Sequence, residues 1–230
     1  MKRKALFVGI NRYEKLRPLK YCSGDAQSLY DLFTEVGGYD ELLLRSDLDL
    51  SGLRKAIDSL VSNMRAGDFL FFYFSGHGYT DSGKHLLLCA DDMLSNLRYG
   101  MFGIPFDYLR GLVTDKHVNA VFVLDTCRSD LLTGDDKCGK GGTNNGTVES
   151  FLTGMQGESS MAVMRACGQY QFAYESDEIC HSRFTYAFLK TLKSLTRNGL
   201  PVSPVNKISS GVRTAVSTVA SRSESTVPSL

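Results

Sequence analysis

Apolar and polar positions along the chain fall into blocks whose period switches between continuous runs and helical stripes. Ala5-Leu6-Phe7-Val8-Gly9-Ile10 is an unbroken apolar run closed by polar residues, the pattern of a strand covered on both faces. Ala26, Leu29, Leu32, Phe33 and Val36 then recur at helical spacing, with Ser23 or Asp25 as cap and Gly37-Gly38 as stop. Leu42-Leu43-Leu44 predicts a short second strand. A second helix carries Leu53, Ile57, Leu60, Val61 and Met64, starts at Asp49 or Ser51 and ends before Gly67. Asp68 to Ser75 predicts a strongly aromatic third strand, and His85 to Cys89 a short hairpin arm. Ile104 to Val113 reads as a helix, Val118 to Leu124 as a fourth strand and Met161 to Ala166 as a fifth. Phe184, Ala187, Phe188, Leu192 and Leu195 form a stripe closed by Gly199. Ser203-Pro204 opens a last helix with Val205, Ile208, Val212, Val216 and Val219. Strands alternating with amphipathic helices predict an α/β fold, a mainly parallel sheet with helices on both faces, in one domain over 1–230. Residues 130–160 break the pattern, rich in Gly, Thr, Asn and charge with no period. Ser221 to Leu230 completes no element, as expected of a piece of a longer polypeptide.

Composition narrows the function without defining it. Twenty-six basic against 25 acidic residues leave a net charge of +1, with none of the basic excess of a nucleic-acid binder. No apolar run approaches the roughly 18 residues needed to span a bilayer. Met1-Lys2-Arg3-Lys4 resembles the start of a leader, but Asn11-Arg12-Tyr13-Glu14-Lys15 cuts the apolar stretch short. A cytoplasmic protein is the expectation. Six cysteines (Cys22, Cys89, Cys127, Cys138, Cys167, Cys180) show no C-x-x-C pair, so no structural zinc site is expected, and a chain of this size does not need a disulfide framework.

Chemistry gathers at two strand ends. The third strand runs into Ser75-Gly76-His77-Gly78, which leaves a histidine between two glycines with bare backbone around it. The fourth ends in Leu124-Asp125-Thr126-Cys127-Arg128-Ser129. Active sites of open α/β sheets lie at the carboxyl ends of strands. Parallel neighbours would bring His77 and Cys127 to the same edge. A cysteine there needs a base or cation to become a thiolate, and imidazole supplies both. Either residue alone is more simply a capping histidine or an inert buried cysteine; the pair predicts a nucleophile and its base. His85, His117 and His181 read as surface or capping residues.

With these motifs the chain resembles the caspase-like cysteine peptidases, the clan of caspases, metacaspases and paracaspases. The resemblance runs through Ala5 to Asn11, Tyr73 to Gly78, Val123 to Arg128, Arg165 to Glu175 and Phe184 to Leu189. His77 and Cys127 stand 50 residues apart, the separation known for caspases. Asp-Thr-Cys-Arg-Ser replaces the caspase Gln-Ala-Cys-x-Gly, which points to the metacaspase-like and bacterial branches. The resemblance implies a three-layer fold around a six-stranded, mainly parallel sheet. It also implies peptide hydrolysis by a Cys-His dyad, with Cys127 as nucleophile and His77 as acid and base. The oxyanion would sit on the amides of Gly78 and Cys127. No third, orienting residue stands out.

Cys22 and Asp25, together with Ser75 and Asp125, match metacaspase positions lining the first specificity pocket. Two carboxylates there imply a preference for Arg or Lys before the cut, since an unpaired buried charge is costly. The simpler readings are a helix-terminal carboxylate for Asp25 and loop hydrogen bonds for Asp125. No cofactor or metal is expected as a requirement; calcium, used by many metacaspases, has Asp91-Asp92 and Asp135-Asp136 as its nearest oxygen donors. In the family the segment after the catalytic cysteine is often cut, which makes Lys137 and Lys140 candidate self-cleavage positions. Expected partners are a protein or peptide substrate and a regulatory or sensor domain, with no nucleic acid and no membrane. The competing reading is a caspase fold with a silent dyad that recruits partners.

Overall fold

The computed structural model describes residues 1–81, 84–93, 102–128, 149–153, 161–166 and 175–197. Ten strands and four helices occur among them. They are β1 (Arg3–Gly9), α1 (Cys22–Val36), β2 (Glu41–Ser46), α2 (Leu50–Ser62), β3 (Phe69–Asp81), β4 (Lys84–Leu87) and β5 (Ile104–Pro105). After these come α3 (Phe106–Asp115), β6 (Asn119–Arg128), β7 (Glu149–Thr153), β8 (Met161–Arg165), β9 (Glu175–Ser176), β10 (His181–Ser182) and α4 (Arg183–Arg197). The main path of the sheet has six strands in the order β2-β1-β3-β6-β8-β7. The first five run parallel and β7 closes the edge antiparallel. β4 pairs with the end of β3 and with β5. This is the three-layer α/β arrangement that the resemblance implied.

Two apolar clusters hold the layers together. Leu6, Val8, Leu70, Phe72, Phe74, Phe122 and Leu124 pack with α2 and α3 residues such as Ile57 and Leu109 on one face. Ala5, Phe7, Phe71, Tyr73 and Val123 pack with Leu29 and Phe33 of α1 and Phe188 of α4 on the other. Alternate strand positions thus serve opposite faces. Each fully buried Leu or Phe contributes roughly 1.5–3 kcal/mol of transfer free energy.

Several local expectations change. α1 has Tyr21, not Ser23 or Asp25, at its N-cap, and no side-chain cap; both polar residues are spent on tertiary bonds. Val36 ends α1 exposed. β3 and β6 run beyond Ser75 and Leu124 because β4 and each other's extensions supply ladder partners. The segment expected to be helical from Ile104 begins with the two residues of β5, and Pro105 caps α3. β7, with two apolar residues in five, was not legible in the 130–160 interval. The last predicted helix and Ser221 to Leu230 lie outside the described residues. Among the described residues no helix is long and apolar enough to cross a membrane.

Candidate active site

β3 and β6 are direct parallel neighbours, and their register pairs Ser75 with Asp125, His77 with Cys127 and Gly78 with Arg128. Neighbouring strands lie about 4.8 Å apart, so the backbone brings the two expected dyad positions side by side. Gly78 is also opposite Leu87 of β4, and so lies within the ladder on both sides.

His77 is 8% exposed, and three contacts fix it. Its amide donates to Tyr13 Oη at 2.8 Å. The Tyr13 ring packs on the imidazole with centroids 4.6 Å apart. Its Nε2 lies 2.8 Å from the carbonyl oxygen of Arg17. A carbonyl only accepts, so Nε2 carries the proton and Nδ1 is left as the basic nitrogen. Burial is the main influence holding the imidazole below its ordinary proton affinity, against the Arg17 hydrogen bond and the Glu175 charge. The third, orienting group that the sequence did not reveal is therefore a backbone carbonyl, which leaves no side-chain signature. Gly76 is required here, because a Cβ would stand 2.7 Å from Tyr13 Oη.

All four expected pocket residues come together beside this pair. A Cβ on Gly9 would lie 2.2 Å from the Cys22 carbonyl oxygen, so only glycine lets β1 end against the start of α1. That contact sets Cys22 and Asp25 next to the strand ends. The Cys22 thiol faces Glu175, and burial pushes its pKa well up. The thiol form is therefore favoured over the thiolate.

Asp25 has no exposed surface. Its Oδ1 meets His181 Nδ1 at 2.5 Å and its Oδ2 accepts the Ser182 amide at 3.1 Å. Burial raises its pKa against these bonds. Asp125, 4% exposed, accepts the Ser182 hydroxyl, and the Thr185 hydroxyl at 2.6 Å. Burial first, then the Asp25 charge, pushes Asp125 up to about 7. Asp25 does stand in the first turn of α1, as its simpler reading has it, but both carboxylates are also tied to the β10–α4 junction, 57 to 157 residues away in sequence, and Asp125 is held there by hydroxyls and not by loop amides.

Glu175 completes the rim. Its Oε1 accepts the amides of Lys20 at 2.9 Å and Tyr21 at 2.8 Å and lies 4.0 Å from Cys22 Sγ. It belongs to the resembling segment, but nothing local marks it as a pocket residue. Two histidine readings are corrected. His181 is the partner of Asp25 and not a surface cap. His85 is buried because β4 folds it against β6, with Nε2 3.0 Å from Thr126 Oγ1. His117 is exposed at the end of α3, as expected.

The acidic pairs considered for calcium are tied differently. Asp91 Oδ1 accepts the Leu50 amide at 2.8 Å; Asp92 accepts those of Cys89 and Gly103 at 2.6 and 2.9 Å. Both carboxylates fasten loops and do not surround a cation position, so they do not fit a calcium shell as they stand. Asp135-Asp136, Lys137 and Lys140 lie outside the described residues. Cys22, Cys89 and Cys180 are free thiols.

Comparison with known proteins gives the family and the fold. The family profile described as Caspase domain matches residues 2–230. Metacaspase-3 of Arabidopsis thaliana is 36% identical over 146 residues, 56% of this chain and 40% of that protein. Metacaspase-1 of Schizosaccharomyces pombe is 33% identical over 155 residues, covering 61% and 34%. Metacaspase-1 of Kluyveromyces lactis is 28% identical over 135, covering 53% and 29%. The chain thus spans less than half the length of the curated relatives it matches. The crystal structure of protein GSU0716 from Geobacter sulfurreducens superposes with a TM-score of 0.61 at 15% identity, over 92% of this chain and 88% of that one, a likeness of fold. The chain belongs to the caspase-domain family of cysteine peptidases.

Proposed function

We propose that the chain is the catalytic domain of a cysteine endopeptidase that cuts after Arg or Lys. The observation that carries this reading is the pairing of positions 77 and 127 beside two buried carboxylates, Asp25 and Asp125, with half-buried Glu175 at their rim. Cys127 gives its thiol proton to Nδ1 of His77 and attacks the scissile carbonyl carbon. The imidazolium then protonates the departing amine, leaving a thioacyl-enzyme. Neutral His77 next takes a proton from water, which attacks the thioester carbonyl and releases the acid and the Cys127 thiol. The Arg17 carbonyl holds the imidazole in the required tautomer throughout. The amides of Gly78 and Cys127 carry the oxyanion. For this, the last rungs joining Gly78 to Leu87 and Arg128 open as substrate enters.

Specificity follows from charge. An Arg or Lys side chain brings a cation to Asp125 and Asp25, whose mutual repulsion and burial it relieves. An aspartate in the same place would add another buried negative charge. The natural substrate is then a protein with an accessible basic residue, and a regulatory or sensor module is the kind of partner that controls access. A positional peptide scan tests the reading. The wild type selects Arg or Lys immediately before the cut, while Cys127→Ala and His77→Ala lower kcat/KM at least about a thousandfold with unchanged melting. Selection of Asp, or retained activity in Cys127→Ala, contradicts it. A folded wild type that cleaves no peptide supports the silent recruitment module instead.

A further inference from the structure

The start of α4 is doing two jobs at once. An α-helix leaves its first amides without internal acceptors, and a serine before the first turn commonly supplies one. Ser182 does so: its Oγ accepts the Thr185 amide at 2.9 Å. The same oxygen keeps one proton to give, and gives it to Oδ2 of Asp125. The Ser182 amide meanwhile donates to Oδ2 of Asp25 at 3.1 Å. One residue therefore touches both carboxylates and the helix. Thr185 adds a second chain. Its hydroxyl donates to Asp125 Oδ2 at 2.6 Å, so its 2.5 Å contact with Tyr73 Oη has the tyrosine as donor. Two polarised relays, Tyr73 to Thr185 to Asp125 and the Thr185 amide to Ser182 to Asp125, converge on one carboxylate oxygen.

We infer that Ser182 and Thr185 are positioning residues of the acidic pocket, holding Asp125 ionised and in fixed register with Asp25 so that a cationic side chain meets two preset carboxylates. The inference rests on the proposed basic specificity and extends it to residues that touch no substrate. It answers an electrostatic problem. Asp125 faces Asp25 and Cys22 from α1, Tyr73 from β3 and Glu175 from β9, and His181 of β10 spends its Nδ1 on Asp25. No cation among these groups hydrogen-bonds to Asp125. Burial and Asp25 both favour its protonated form, and the two hydroxyls are the groups that oppose them. The helix cap has thus been joined to the specificity pocket, and neither the stripe of α4 nor the Asp25 and Asp125 motifs reveals that joint in sequence.

Thr185→Val separates the two jobs, because it keeps the side-chain shape and the capping amide and removes only the hydroxyl. With Arg peptides its KM rises about tenfold, the worth of one hydrogen bond to a charged group, while kcat changes by less than about threefold. The acid limb of kcat/KM moves to higher pH, and Thr185→Ser restores both. Unchanged KM and acid limb in folded Thr185→Val overturns the inference, as does a loss confined to kcat. A carboxyl-carbon NMR titration of Asp125 needs no turnover, so it judges the inference even if the wild type cleaves nothing. Its midpoint rises in Thr185→Val if the hydroxyl holds the charge; an unmoved midpoint overturns the inference and leaves the proposed specificity to the peptide scan.

Discussion

Two sides of the same two strands obey different rules. On the side toward α2 and α3, Leu70, Phe72 and Phe74 of β3 and Ala120, Phe122 and Leu124 of β6 are all buried and apolar. On the other side, Phe71 and Tyr73 with Val123 begin as core beneath α1 and α4, and the series then turns polar at Ser75 and Asp125. His77 and Cys127 occupy the next positions of that series. The period of two lets one strand carry an unbroken core on one side and change to chemistry on the other. The first side defines the position of the strands; the second uses their ends. A buried carboxylate is costly to fold around, and it is tolerated where donors from β10 and α4 converge on it.

Substitutions on the two sides should therefore fail in different ways. Phe72→Ala, on the core side, has the largest expected effect on folding. The ring is 1% exposed and packs on Phe122 at 6.0 Å, so its loss costs about 3–5 kcal/mol in urea unfolding. The kcat/KM of the remaining folded protein stays within about threefold. A comparable loss of activity without loss of stability would erase the distinction between the sides.

Asp125→Asn has the opposite signature. It lowers kcat/KM for Arg peptides about a hundredfold, as expected when a buried cation loses its charged partner, with little change in the denaturant slope. Its stability also responds differently to pH. Native Asp125 binds its proton more tightly than the unfolded chain does, since its pKa is raised from 3.8 to about 7. Between those values the unfolded state carries fewer protons, so wild-type stability falls as pH rises from about 4 through about 7 and then levels. Melting Asp125→Asn over the same range should show a shallower decline. Parallel curves would mean that the carboxylate is not strained by burial.

Most of the framework was legible because it depends on local pattern. The continuous apolar run of β1, the stripes of α1, α2 and α4 and the aromatic stretch of β3 declared themselves by period. The dyad positions were legible because two motifs sat at strand ends. Asp25 and Asp125 were singled out together only through resemblance, and the structure does bring them to the same residue, Ser182. What joins them was hidden for a physical reason: Ser182, Thr185 and His181 reach them across 57 to 157 residues, and no periodicity records a contact of that range. Ser182 is one of many serines in the sequence, and its joint use as helix cap and donor to Asp125 is visible only in three dimensions. The Arg17 carbonyl is invisible in principle, since every residue has one. His85 was misread because an apolar flank, not its own polarity, determines that β4 buries it.

The central claim is that position 127, held opposite His77 at the edge of an acidic pocket, is a nucleophile that receives basic substrates. Its most direct test is covalent. The intact protein is exposed to matched peptidyl acyloxymethyl ketones ending in Arg or Asp, and the adduct is located by mass spectrometry. The account predicts one adduct, on Cys127, formed much faster with the Arg reagent, and lost in His77→Ala. Labelling of Cys22, Cys89 or Cys180 in its place, or faster reaction with the Asp reagent, would contradict it.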